Sequence, residues 1–175
     1  MKIKKGLAVI LALAMVITLV PTMAFATTTN TVSKVVTVAA EDEMPATTIN
    51  LETKDDWAVN TAQNIKLSLG NATWTDTPAE VDDVLEVTAT DKNGADVNID
   101  IGFVAASKTT LEFSITPRVA LLKSANISLE IKDEAMTSGA EAGEVKVSID
   151  GLDSQVSSST LTIATVATST TTANV

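Results

Sequence analysis

Carboxylates are the side chains here that could run acid–base chemistry: the 175 residues hold 22 Asp+Glu but no His, Cys or Tyr. Without His the usual general base near neutral pH is missing, so a Ser-His-Asp triad cannot be built. Without Cys there is no disulfide, no thiol nucleophile and no Cys/His zinc or haem site. Asp55–Asp56, Asp82–Asp83 and Asp133–Glu134 are adjacent pairs. Neighbours on a strand point to opposite faces, so none forms the convergent pair that glycoside hydrolysis requires. The expectation is a chain that is not an enzyme.

Two other groups of residues suggest ligands. Asp91-Lys-Asn-Gly-Ala-Asp96 looks at first like a Ca²⁺ loop, with Asp91, Asn93 and Asp96 as candidate ligands. An EF-hand needs Gly at position six and Glu at twelve; counted from Asp91, Gly94 is fourth and Gly102 twelfth. The favoured reading is a hairpin in which Asn93-Gly94 supplies positive φ, with no cofactor expected. Trp57 and Trp74 are a candidate sugar platform, because pyranose CH groups stack on an exposed indole. With aromatics at only 3%, the favoured alternative is that they seal the core or its ends. Asn71-Ala-Thr73 and Asn126-Ile-Ser128 match the N-glycosylation acceptor, a weak signal.

The elements that position these residues are read from period-2 alternation. Ile65, Leu67 and Leu69 share a face, as do Leu85, Val87 and Ala89. The same holds for Val97, Ile99, Ile101 and Phe103, for Leu111, Phe113 and Ile115, and for Ile127, Leu129 and Ile131. Val145, Val147 and Ile149 alternate next, and then Leu161 and Ile163, before the pattern slips at Ala164. Thr47 to Glu52 and Ala72 to Thr75 are weaker strands. Turn residues lie between them: Gly70-Asn71, Asp91 to Gly94, Ser138-Gly139, Gly143 and Gly151. Many short strands with one apolar face each predict an all-β, antiparallel β-sandwich of roughly seven to nine strands. Residues 117–123 are expected as a crossover loop or a single helical turn, and 133–144 as an acidic loop with no apolar period.

The chain's beginning is a secretory signal by pattern. Met1 to Lys5 is cationic, Gly6 to Val20 is apolar apart from Thr18, and Ala24-Phe-Ala26 offers a cleavage site. The apolar run is shorter than the ~20 residues of a membrane span. Cleavage after Ala26 removes Lys2, Lys4 and Lys5, taking the net charge from −10 to −13. Such acidity argues against nucleic acid and anionic membrane as partners. The expected plan is a signal over 1–26, a Thr-rich segment over 27–46, a sandwich over 47–167 and a Thr-rich flexible tail over 168–175. Within the second part, Thr31 to Val38 reads as one strand, joined to the domain by a polar link. Val32, Val35, Val36 and Val38 make it a candidate for strand addition between subunits.

Ala125 to Ile131, Glu141 to Gly151 and Ser159 to Val166 together resemble a recurrent β-sandwich module of Firmicutes surface proteins. That module stands beside copper amine oxidase N-terminal-like stalk domains and in S-layer-associated proteins. Its pattern is a strand, then Gly-(Asp/Glu)-Val-x-Val-x-(Ile/Val)-x-Gly, then Leu-x-(Ile/Val)-Ala-x-Val; Asn64 to Asn71 is similar to its second-strand region. The resemblance implies a cohesin-like, carbohydrate-module-like or Ig-like sandwich serving as a non-catalytic, extracellular surface or matrix module. Copper is not implied, since the chain has no His. The expected partners are copies of itself, other surface proteins, or cell-wall or extracellular polysaccharide. No S-layer-homology repeat, LPxTG signal or C-terminal hydrophobic tail is seen, so release, noncovalent retention or self-assembly is expected.

Overall fold

A computed structural model describes residues 28–152 and 154–167. The expected signal segment and the tail over 168–175 lie outside the described residues. The rest is all-β, with no helix among the described residues. In order the strands are β1 (Thr28–Val32), β2 (Val36–Val38), β3 (Thr47–Thr53), β4 (Gln63–Gly70), β5 (Ala72–Trp74) and β6 (Leu85–Thr90). They continue as β7 (Ile99–Ala106), β8 (Thr110–Pro117), β9 (Asn126–Ile131), β10 (Met136–Ser138), β11 (Gly143–Asp150) and β12 (Ser159–Val166).

Three sheets form. One has the order β1-β3-β9-β6, a larger one β2-β12-β11-β4-β8-β7, and β5 pairs with β10 in a short ribbon. Every pairing is antiparallel except β2, which runs parallel to β12. The alternation explains this sandwich-like arrangement. Ile49, Leu51, Leu85, Ala89, Ile127, Leu129 and Ile131 point inward from the smaller sheet. Ile65, Leu67, Leu111, Phe113, Ile115, Val145, Val147, Ile149 and Ile163 do so from the larger, and all join one buried cluster. Fully burying one such side chain contributes about 1.5–3 kcal/mol. The slip at Ala164 is a bulge: Val145 faces Ala164 while Lys146 faces Thr162, so Ile163 is the extra residue, and Ile163 and Ala164 are both buried.

The structure departs from the sequence expectations in four places. The strand expected over Thr31 to Val38 is two strands in different sheets, because the chain crosses between them at residues 33–35. Its backbone is therefore paired within its own molecule. Twelve strands stand where seven to nine were expected; the three short ones, β2, β5 and β10, have three residues each. β10 lies in the expected loop over 133–144, where Met136 is buried against the Trp74 strand. Residues 117–123, by contrast, lead from the end of β8 into a loop, the first of the two forms expected, in which Leu121 bridges Trp57. Phe103 shares the inward face with Phe113, its partner across the sheet, yet is 41% exposed because β7 is an edge strand.

Candidate functional site

Trp57 and Trp74 are both fully buried, so neither offers a ring face to a sugar and the platform expectation is corrected. Each closes one end of the strands. Trp57 lies in the β3–β4 connection, where its N–H donates to Leu121 O at 2.7 Å and its O accepts from Leu121 N at 3.2 Å. Trp74 sits in β5 opposite Met136, its backbone N–H donating to Lys108 O at 2.8 Å. Both indole Nε1 atoms are buried without a hydrogen-bond partner among the described residues. Their rings are held by packing alone.

The Asp91 loop is a turn whose carboxylate is already engaged. Asp91 Oδ1 accepts from Asn93 N at 2.8 Å and Ala95 N at 2.9 Å, and Gly94 has φ +83°. Those backbone donors, Ala95 first, hold the Asp91 carboxyl below the usual range. Asp96 is the turn's far side, bridging Thr90. Asp91, Asn93 and Asp96 therefore build a hairpin tip, and among the described residues no three Asp or Glu side chains are grouped to hold an ion. After this turn the chain leaves the smaller sheet, and β7 joins the larger one beside β8. The adjacent carboxylates likewise serve local structure. Asp56 Oδ1 accepts from Lys123 N at 2.7 Å. Asp83 Oδ2 accepts from Ala79 N at 2.8 Å and Glu80 N at 2.9 Å. The Glu80 and Ala79 donors, aided by the Lys132 charge, lower the Asp83 carboxyl. Glu144 is lowered by the hydrogen bond and charge of Lys146, 2.8 Å away.

What the fold leaves open is one lateral side. The smaller sheet ends in β1 and β6, the larger in β2 and β7. On the first side the link from β1 to β2 crosses the gap and ties both sheets together. Asn30 Nδ2 donates to Ser157 O at 2.6 Å and to Ser159 Oγ at 2.9 Å, while Ser157 N donates to Thr28 Oγ1 at 2.9 Å. Of the expected assembly residues, Val38 is buried, Val32 and Val36 are half-buried and Val35 is 49% exposed. On the second side the β6–β7 link crosses at the Thr90 end, where Val97 N donates to Ala89 O at 2.8 Å and Asp96 bridges Thr90. A groove of about 700 Å³ lies between β6 and β7, floored by Leu85, Val87, Ile101 and Phe103 and rimmed by Glu80, Asp82, Glu86 and Lys132. Lys132 Nζ donates to Asp82 O, and the Asp83 turn shapes the same wall.

Phe103 is exposed because β7 is an edge strand with a bulge. Phe103 faces Phe113 and Ala105 faces Glu112, leaving Val104 unpaired and 58% exposed. The bulge interrupts the edge, so a partner strand would find its regular pairing stretch over 99–102. Such an edge offers main-chain donors and acceptors for strand addition and an apolar slot for side chains. Sequence reasoning missed this site. The signal was Phe103-Val-Ala-Ala106, four apolar residues running on where alternation demands a polar one.

No protein-family model matches the chain, and no curated protein does either. Among solved structures the chain is similar to one described as "AvmM Catalyzes Macrocyclization in Alchivemycin A Biosynthesis". That likeness covers 83% of this chain and 93% of that one at 7% identity, with a TM-score of 0.34. At that score the likeness carries no argument about fold type or chemistry.

Proposed function

We propose that this chain is a non-catalytic structural or adhesive module of the cell surface or extracellular matrix, exported by its N-terminal signal and assembling with copies of itself at strand edges. In this reading the two larger sheets are an antiparallel β-sandwich of the Ig-like or cohesin-like kind. The observation that carries it is the asymmetry of the two lateral sides. One is tied together by the β1–β2 link and its hydrogen bonds; on the other the β6–β7 link closes the Ala89 and Thr90 end, and beyond it the edges around Glu86 and Phe103 flank an apolar groove, with Phe103 41% and Val104 58% exposed. A free edge of that kind is a template for pairing with another chain. The resemblance to surface modules supports the same reading, and so does the engagement of the carboxylates in turns. The alternative of carbohydrate binding through Trp57 and Trp74 loses its support with their burial.

The test is the assembly state of the purified chain starting at Thr27, followed by light scattering and negative-stain microscopy over a concentration series. Fibres or sheets are expected with and without Ca²⁺, because the Asp91 carboxylate already accepts two backbone N–H groups. A monomer throughout the series overturns self-assembly.

A further inference from the structure

The smaller sheet carries a cross-strand row that ends in Glu86 at one edge and in Ser33, the residue before Lys34, at the other. Just past the last β1–β3 pair, Ser33 N donates to Thr48 O at 2.9 Å. Thr48 faces Glu130, and Glu130 faces Glu86 on the edge strand β6. Two like charges directly opposite each other on a sheet are destabilising in isolation. Both are exposed, and neither is ion-paired among the described residues. At the far end of the row, next to Ser33, Lys34 is exposed and likewise without an ion pair among the described residues. It is the one charged residue between Thr28 and Ala40. Val35 beside it is 49% exposed, while the opposite edge opens onto the groove of Val87, Ile101 and Phe103.

We propose that a second copy of this chain docks edge to edge and head to tail, the 33–35 corner of one copy meeting the β6 edge of the next. Lys34 then lies against the Glu86–Glu130 pair and Val35 enters the groove. The proposal rests on the self-assembly reading above and adds which two surfaces meet. Translating one copy along the row brings the 33–35 corner of that copy beside the β6 edge of the next. The charge balance selects this arrangement. With 22 Asp+Glu against 12 Lys+Arg, copies repel unless the contact uses a surface free of acids, and the arm is such a surface. A groove-to-groove contact would set Glu80, Asp82 and Glu86 against themselves. Because the two surfaces differ, every added copy presents a fresh groove or corner, and growth is open-ended.

The test uses charge reversal at the two ends of the row in the chain from Thr27. Lys34→Glu and Glu86→Lys both replace exposed side chains, and circular dichroism with a urea midpoint checks that each variant folds. Each variant alone is expected to raise the critical concentration for assembly by at least about tenfold. An equimolar mixture of the two is expected to assemble, since reversed arm meets reversed groove and native arm meets native groove. The Lys34→Glu/Glu86→Lys double variant is expected to assemble by itself for the same reason. Single variants that assemble like the unmodified chain would overturn this contact while leaving self-assembly standing. A mixture that stays as dispersed as its components would also overturn it. An unmodified chain that never assembles removes both the contact and the reading beneath it.

Discussion

Trp57 and Trp74 show at the residue scale how a side chain suited to binding can be absorbed by packing. Each buries a large ring at one end of the strands, and each leaves its indole N–H without a partner among the described residues, a cost offset by the area removed from water. Trp74→Ala is therefore expected to cost ~3–5 kcal/mol of stability, as large core truncations do. Trp74→Phe keeps most of the ring and removes the orphan N–H, so about 1–2 kcal/mol is expected. Urea midpoints at unchanged slope measure both, and equal losses would mean that the indole N–H has a partner after all. Glu86, Glu130 and Lys34 make the complementary case. They are ordinary surface charges one at a time; the strand register places Glu86 and Glu130 on one row that leads through Thr48 to Ser33, and Lys34 follows Ser33 in the chain.

At the element scale the informative parts are the connections. The turn over 79–83 hangs on Asp83, whose carboxyl is held below its ordinary value by the Glu80 and Ala79 N–H groups. The sign follows from linkage: a carboxylate lowered in the folded state stabilises it above the unfolded value and loses that contribution as pH falls through the folded one. The groove wall is thus expected to hold above pH ~4 and to loosen below it. The Ala79 and Glu80 amide signals, followed by NMR during an acid titration, should shift with a midpoint below the ordinary Asp value. A midpoint at or above that value would show that the carboxylate does not hold the turn. The β1–β2 arm is an element of another kind. It places Val38 in the core, packs Val32 and Val36 against it, and is held besides by backbone pairing and by the Asn30 and Ser157 hydrogen bonds. Its 33–35 corner stays exposed and free to serve as a contact.

On the scale of the whole molecule, net charge opposes the proposed association of copies. Copies carrying −10 repel at distances set by the Debye length. Raising salt from ~0.01 to ~0.15 M shortens that length from ~30 to ~8 Å and screens the bulk repulsion more than a partly desolvated contact. The critical concentration for assembly, read by sedimentation, is expected to fall over that range. A rise would mean that attraction between exposed charges dominates the contact. The bulge in β7 and the acidic rim of the groove act in the same protective sense, limiting where a second chain can pair.

The sequence by itself determined the all-β class, the inward faces of most strands and the turn at Asn93-Gly94. These follow from a period of two and from glycine's tolerance of positive φ, which are local properties of the chain. The slip at Ala164 was legible for the same reason, since a bulge adds one residue to the alternation. Tertiary structure alone decided which strand lies at an edge. Phe103 fits an inward pattern as well as Phe113 does, yet only Phe113 has strands on both sides, and the two differ from 41% to 0% exposure. The split of the Thr31 to Val38 segment between two sheets was equally hidden, because a crossing at Ser33-Lys-Val35 leaves the alternation around it intact. Burial of the two Trp residues and the row that joins Glu86 and Glu130 to Thr48 depend on contacts between residues far apart in the chain, which no local period encodes.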